Sequence, residues 1–213
     1  MTARALITLA AGLAVCPAAL CQTYSMTALP TTPGTHSQGF GINDAEDACG
    51  QARFGTSNRT SLWEPGMAAQ ALGTQAGYGN DINNAGQVFG SYYGTAGAIP
   101  FVWENSIATS LPLVPGFTYA DNWQLNDSGV GTGTAYNAGT VRGLGAACSW
   151  TKSGGQWVLS VLPALSSPSS GGGAFGINEA GIIVGTSLDP GGTFRACKWE
   201  GGGISPLAAP MPN

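Results

Sequence analysis

Side chains able to do acid, base or metal chemistry are few and scattered in this chain. His36 is the single histidine of 213 residues and sits in the Gly-rich loop "PGTHSQG". A ring in such a loop is ordinarily solvated rather than held for proton transfer. No G-x-S-x-G nucleophile elbow occurs, and no Cys or His spacing fits a zinc site. Asp44, Glu46 and Asp47 offer oxygens of the kind calcium prefers, but without the full spacing of a calcium loop, so a solvated turn is the simpler reading. Glu64, Glu104 and Glu200 each follow a Trp; a glycosidase-type pair would need two such carboxylates to face one pocket from distant parts of the chain. What remains is stacking chemistry. Tyr78, Tyr92, Tyr93, Tyr119 and Trp123 carry the flat apolar faces on which sugars bind. The expectation is no catalytic residue, no metal and no cofactor, with these five aromatics as candidate ligand contacts.

Composition describes the scaffold that must hold them. The chain has 43% apolar residues, enough for a buried core, together with 34 Gly and only 8% charged residues, where an ordinary soluble domain has roughly a quarter charged. Such a chain favours strands and turns over surface helices, whose solvent faces need Lys and Glu. The N-terminus, "MTARALITLAAGLAVCPAALCQTYS", places Arg4 before an apolar run and then small residues, the pattern of a secretory signal peptide over residues 1–21. The run is too short and too Ala-rich for a preferred membrane span. Val15 and Leu20 precede Cys16 and Cys21, where a lipidated Cys would have a small neighbour. Without Arg4, six basic residues stand against eleven acidic ones, so a nucleic-acid partner is not expected. Cys49, Cys148 and Cys197 allow at most one internal disulfide.

The mature chain, 22–213, is internally repetitive. Aligned on an apolar-Asn dipeptide, four phrases appear: "GFGINDAEDACGQA", "GNDINNAGQVFGSY", "NWQLNDSGVGTGTA" and "AFGINEAGIIVGTS". Their asparagines are Asn43, Asn83, Asn126 and Asn178, each followed seven residues later by Gly (Gly50, Gly90, Gly133, Gly185). A second phrase carries Trp63, Trp103, Trp150 and Trp199, and a third is apolar and rich in Leu. Asn, Asp and Gly tolerate the left-handed backbone of a tight turn, so the four asparagines read as structural turn residues. The repeated tryptophans read as structural residues packed between neighbouring units. The pattern predicts an all-β, β-propeller-like chain of about four blades, each of four short antiparallel strands, forming a closed ring or an incomplete array. Expected units span 37–78, 79–118, 119–170 and 171–213, with an extra strand at 23–30. The third unit departs from the pattern, with Leu125 for Ile and Gly131 where an apolar residue is expected.

Residues 71–104, "ALGTQAGYGNDINNAGQVFGSYYGTAGAIPFVWE", carry Leu-Gly-Thr, Ile-Asn, Gly-x-Val-x-Gly and Phe-x-Trp elements in order. In this respect the chain resembles the extracellular repeat of the HAF family, over roughly residues 24–209. The resemblance implies a secreted bacterial β-propeller-like repeat protein and implies no catalytic residues. The expected function is that of a secreted, non-catalytic interaction module whose partner is an extracellular protein or glycan. A carbohydrate-binding propeller is the alternative, and a secreted hydrolase comes third. An incomplete ring would leave edges through which copies could associate.

Overall fold

A computed structural model describes residues 26–30, 36–139, 145–166 and 171–207. The expected signal peptide, and residues 23–25 of the expected extra strand, lie outside these. Every helix or strand among the described residues is a β-strand. The first group is β1 (Ser37–Ile42), β2 (Ala48–Phe54), β3 (Ser57–Trp63) and β4 (Gln70–Ile82). Next come β5 (Val88–Tyr93), β6 (Ala98–Glu104) and β7 (Ile107–Ser110). They are followed by β8 (Tyr119–Leu125), β9 (Val130–Tyr136), β10 (Ala146–Ser153) and β11 (Gln156–Val161). The chain ends in β12 (Gly172–Ile177), β13 (Ile183–Leu188), β14 (Phe194–Glu200) and β15 (Gly203–Pro206). Strands adjacent in sequence pair antiparallel, in three sheets: β1 to β7, β8 to β11, and β12 to β15.

The second and third sheets are four-stranded meanders, whereas the first two expected units share one seven-stranded sheet. The cause lies in the linkers. After β7 and β11 the chain reads "LPLVPG" and "LPALSSP", and Pro, lacking an N–H, cannot extend a ladder. From Gly66 to Val88, the stretch that holds β4 and its turn into β5, there is no Pro. One 13-residue strand, β4, pairs through Gln70, Ala71 and Ala76 with β3 and through Gly77 to Ile82 with β5. Residues 26–30 are not a strand; instead the Pro30 carbonyl accepts hydrogen bonds from Ala69 N at 3.3 Å and Trp63 Nε1 at 2.9 Å.

The repeated Asn closes the turn between the first and second strands of each unit. Its Oδ1 accepts the backbone N–H four residues on, in Asp47, Gln87, Val130 and Ile182, at 2.8–3.0 Å. The third residue after each Asn has φ between 66° and 77°: Gly86, Gly129 and Gly181 in three units, and Glu46 in the first. The Gly seven residues after the Asn faces the opposing strand so closely that a Cβ would meet the carbonyl of Gln38, Tyr78, Asp121 or Gly173. The first strand of every unit shifts register just beyond this crossing.

Apolar side chains gather where successive units meet. Cys49, Leu62 and Leu72 pack with Ile82 and Val88. Phe89 and Val102 pack with Leu125, Cys148 and Trp150, and Ala147 packs with Ile183, Cys197 and Trp199. Trp63, Trp150 and Trp199 are buried and Trp103 is half-buried. Trp150 Nε1 donates to Pro112 O at 2.8 Å and Trp199 Nε1 to Pro163 O at 2.7 Å, so the Trp of one unit is anchored on the Leu-Pro that ends the unit before it. Residues 29–30 are also Leu-Pro and anchor Trp63 in the same way, standing in for the end of a preceding unit. The irregular Gly131 has a packing reason. The Phe89 ring from the preceding unit lies where its Cβ would be, and that ring meets Trp150 edge-on with centroids 5.8 Å apart.

Candidate functional site

The five candidate aromatics separate into different places. Tyr92 stacks on Phe101 at 4.2 Å with the rings 11° from parallel, which hides one face of each. Tyr119 lies against Tyr136 and covers Gly97, and Trp123 meets Phe175 edge-on. Only Tyr78 and Tyr93 come together over open space. Their centroids are 5.4 Å apart, and with the loop Gly94–Ala98 they line an open groove of about 310 Å³.

The groove has the parts of a small polar-aromatic site. Phe40, itself exposed, continues the aromatic surface edge-on to Tyr78 at 6.5 Å. Tyr93 Oη donates to Gln51 Oε1 at 2.8 Å, and Gln51 Nε2 donates to Gln38 Oε1 at 2.5 Å. Partial burial holds the Tyr93 phenol above its ordinary range, so it remains a neutral hydroxyl at physiological pH. Two ring faces beside an amide-hydroxyl chain can stack on an apolar surface and exchange hydrogen bonds with hydroxyls at its rim. The groove was not legible in the sequence, since Gln38 and Gln51 reach Tyr93, and Phe40 reaches Tyr78, only through the pairing of β1 to β5.

Polar side chains of the turns are engaged in joining one unit to the next. Asn43 Nδ2 donates to Asn83 O at 3.3 Å, Asn83 Nδ2 to Asn126 O at 3.1 Å and Asn126 Nδ2 to Asn178 O at 3.1 Å. A parallel series runs beside it. The N–H of Asp44 donates to Asn84 Oδ1, that of Asn84 to Asp127 Oδ1 and that of Asp127 to the Glu179 carboxylate. Asp81 Oδ2 accepts Leu125 N at 2.9 Å; burial pushes this carboxyl above its usual range, while N–H bonds from Leu125 and Ile82 pull the other way.

The other acids have similar occupations. Glu104 binds Lys152 of the next unit at 2.6 Å and accepts from Gln87, and the Lys152 contact first among its causes lowers its pKa. Glu200 pairs with Lys198 at 2.6 Å. Asp47 accepts from Asn43 Nδ2, and no group of three or more His, Cys, Asp and Glu suited to a metal occurs among the described residues. The three cysteines among the described residues are free and buried; desolvation pushes the Cys49 thiol up to about 12 and Cys197 to about 11, and raises Cys148 as well. No helix among the described residues is long and apolar enough to cross a membrane. No family model matches the chain, and no curated protein matches it.

Proposed function

We propose that the chain is a secreted, non-catalytic binding module: an open array of four propeller-like units, of the kind the HAF resemblance implies, that recognises an extracellular partner through the groove of Tyr78 and Tyr93. The observation that carries this reading is the groove itself, where two tyrosine rings and the loop Gly94–Ala98 border one open space and Tyr93 is held in place by its hydrogen bond to Gln51. The occupations of the acids support the non-catalytic part, because Glu104, Asp81 and Asp127 join neighbouring units and Glu200 is paired with Lys198 of its own strand.

Among extracellular ligands the groove favours carbohydrate. A pyranose offers an apolar face for a tyrosine ring and equatorial hydroxyls for amides, whereas a buried peptide side chain would need a deeper pocket than this one. Glycan-array binding followed by titration calorimetry tests the reading. Tyr93→Ala should weaken any glycan identified at least tenfold, and Tyr92→Ala, whose ring is stacked on Phe101, should alter it far less. A glycan whose affinity is indifferent to Tyr78 and Tyr93 would remove the groove from the function.

A further inference from the structure

Two series of bonds between units, from the repeated Asn amides and from the backbone N–H that follows each, run in one direction along the turns, so the array ends in two different surfaces. On the turn side, each unit donates from its Asn amide and from the next N–H, and the following unit accepts. The fourth unit therefore ends with the Asn178 amide and the Glu179 N–H, which have no acceptor among the described residues. The first unit begins with the Asn43 carbonyl and the Asp44 carboxylate, which receive no donor from an earlier unit. The inner asparagines, Asn83 and Asn126, are 3% exposed, whereas Asn178 is exposed.

The apolar contacts end in the same complementary way. Ile82 and Leu125 are buried against the unit before them, at 4% and 5% exposure, but their counterpart Ile42 is 68% exposed. Cys49, Phe89 and Thr132 are wholly buried by the unit after them, but their counterpart Val184 is 43% exposed. Inside the array Cys49 packs with Ile82, and Phe89 with Leu125. Ile42 and Val184 are thus the two halves of one more such contact, and in a single chain they do not meet.

We propose that the chain associates head to tail with a second copy of itself: the first unit of one copy seats on the fourth unit of another, with Ile42 against Val184 and the Asn178 amide and Glu179 N–H donating to the Asn43 carbonyl and Asp44 carboxylate. The ends of the last strands determine how the copies fit. Leu29-Pro30 already occupies, against Trp63, the place that Leu207 and the residue after it would take. Leu207 is 47% exposed and β15 has only four residues, so β15 yields, and residues 26–30 of the incoming copy lie along β14. Because the two surfaces differ, the contact is heterologous: successive copies close into a ring where their rotations complete a turn and otherwise propagate as an open series. This goes beyond the ligand-binding reading and does not depend on it.

Sedimentation velocity over a concentration series, with Ile42→Glu and Val184→Glu, tests the proposal. Both substitutions are at exposed positions, and far-UV circular dichroism checks that each variant is folded. The unaltered chain should associate, as a closed ring of two or more copies or as an open series that grows with concentration, and each variant alone should lose every species above monomer. An equimolar mixture should restore one species of two copies and nothing larger, since each variant keeps one intact surface. An unaltered chain that stays monomeric overturns the proposal, as ring closure within one molecule would. So does a variant that still self-associates while the other does not, the mark of a symmetric contact, or a mixture that remains monomeric.

Discussion

The junction between the second and third units and the outer face of the fourth are built from corresponding residues, yet they differ in almost every physical respect. At the junction, Phe89 is wholly buried, its ring fills the space left by Gly131, and it meets Trp150 edge-on. At the outer face the corresponding residue is Val184, nearly half exposed, flanked by Lys198 in its ion pair with Glu200. Lys198 stands where the inner units carry Leu62, Val102 and Ser149, all buried. A repeat position acquires its energetic weight from the unit that covers it, and a terminal unit tolerates polarity that an inner one does not.

The largest expected effect separates these two places. Phe89→Ala should destabilise the fold by about 3–5 kcal/mol, since it removes a fully buried ring and leaves a cavity that Gly131 cannot fill. Val184→Ala, at the corresponding position, should change stability by no more than about 0.5 kcal/mol. Chemical denaturation at a concentration where the chain is monomeric measures both. Equal costs would mean that the outer face is covered in solution and would break the comparison.

A smaller contrast is expected in the turns. Asn83 makes four side-chain bonds: to Gln87 Oε1 and Asn126 O as donor, and from Ala85 N and Gln87 N as acceptor. Asn83→Ala should cost about 2–3 kcal/mol, because the buried Asn126 carbonyl and the N–H groups of Ala85 and Gln87 lose a partner together. Asn178 accepts from Ile182 N and is otherwise exposed, so Asn178→Ala should cost about 1 kcal/mol or less. Denaturant midpoints of the two variants, compared at matched m-values, read this difference.

The turns also show how far a sequence of this kind can be read. The register of four asparagines, the all-β character and the burial of Trp63, Trp150 and Trp199 follow from local rules: turn chemistry, alternation and the repeat itself. Three features do not follow from local rules. That Asn43 bonds to the Asn83 carbonyl, 40 residues away, depends on how units stack, and the same letters would serve an isolated hairpin. The fusion of two expected units through β4 depends on the absence of Pro between residues 66 and 82, a negative signal. The hydrogen bonds that hold Tyr93 of the groove reach Gln51 and Gln38 across several strands, and of the groove's lining only the tyrosines are conspicuous by type. Gly131, which breaks the repeat when read alone, is explained by Phe89 in the neighbouring unit.

The smallest expected effect concerns the third residue after each Asn, where the backbone is left-handed in all four units. Glu46 has φ 66°, and its counterparts Gly86, Gly129 and Gly181 have 73°, 74° and 77°. A residue with a Cβ is disfavoured there by roughly 1–2 kcal/mol, while Gly loses about 0.5–1 kcal/mol more chain entropy on folding. Glu46→Gly should therefore stabilise the chain by about 0.5–1 kcal/mol. Gly86→Glu should destabilise it by a similar amount, since nothing lies within 4 Å of a Cβ built at Gly86 and the backbone term is the one read. Glu46 lies at the open end and Gly86 inside the array, so the reciprocal pair asks whether the turn is indifferent to its neighbours. Opposite shifts of equal size in the denaturation midpoint would show that it is. A much larger loss for Gly86→Glu would show that the new carboxylate disturbs the ladder through Asn84 and Asp127, and the turn would then belong to the junction rather than to its own unit.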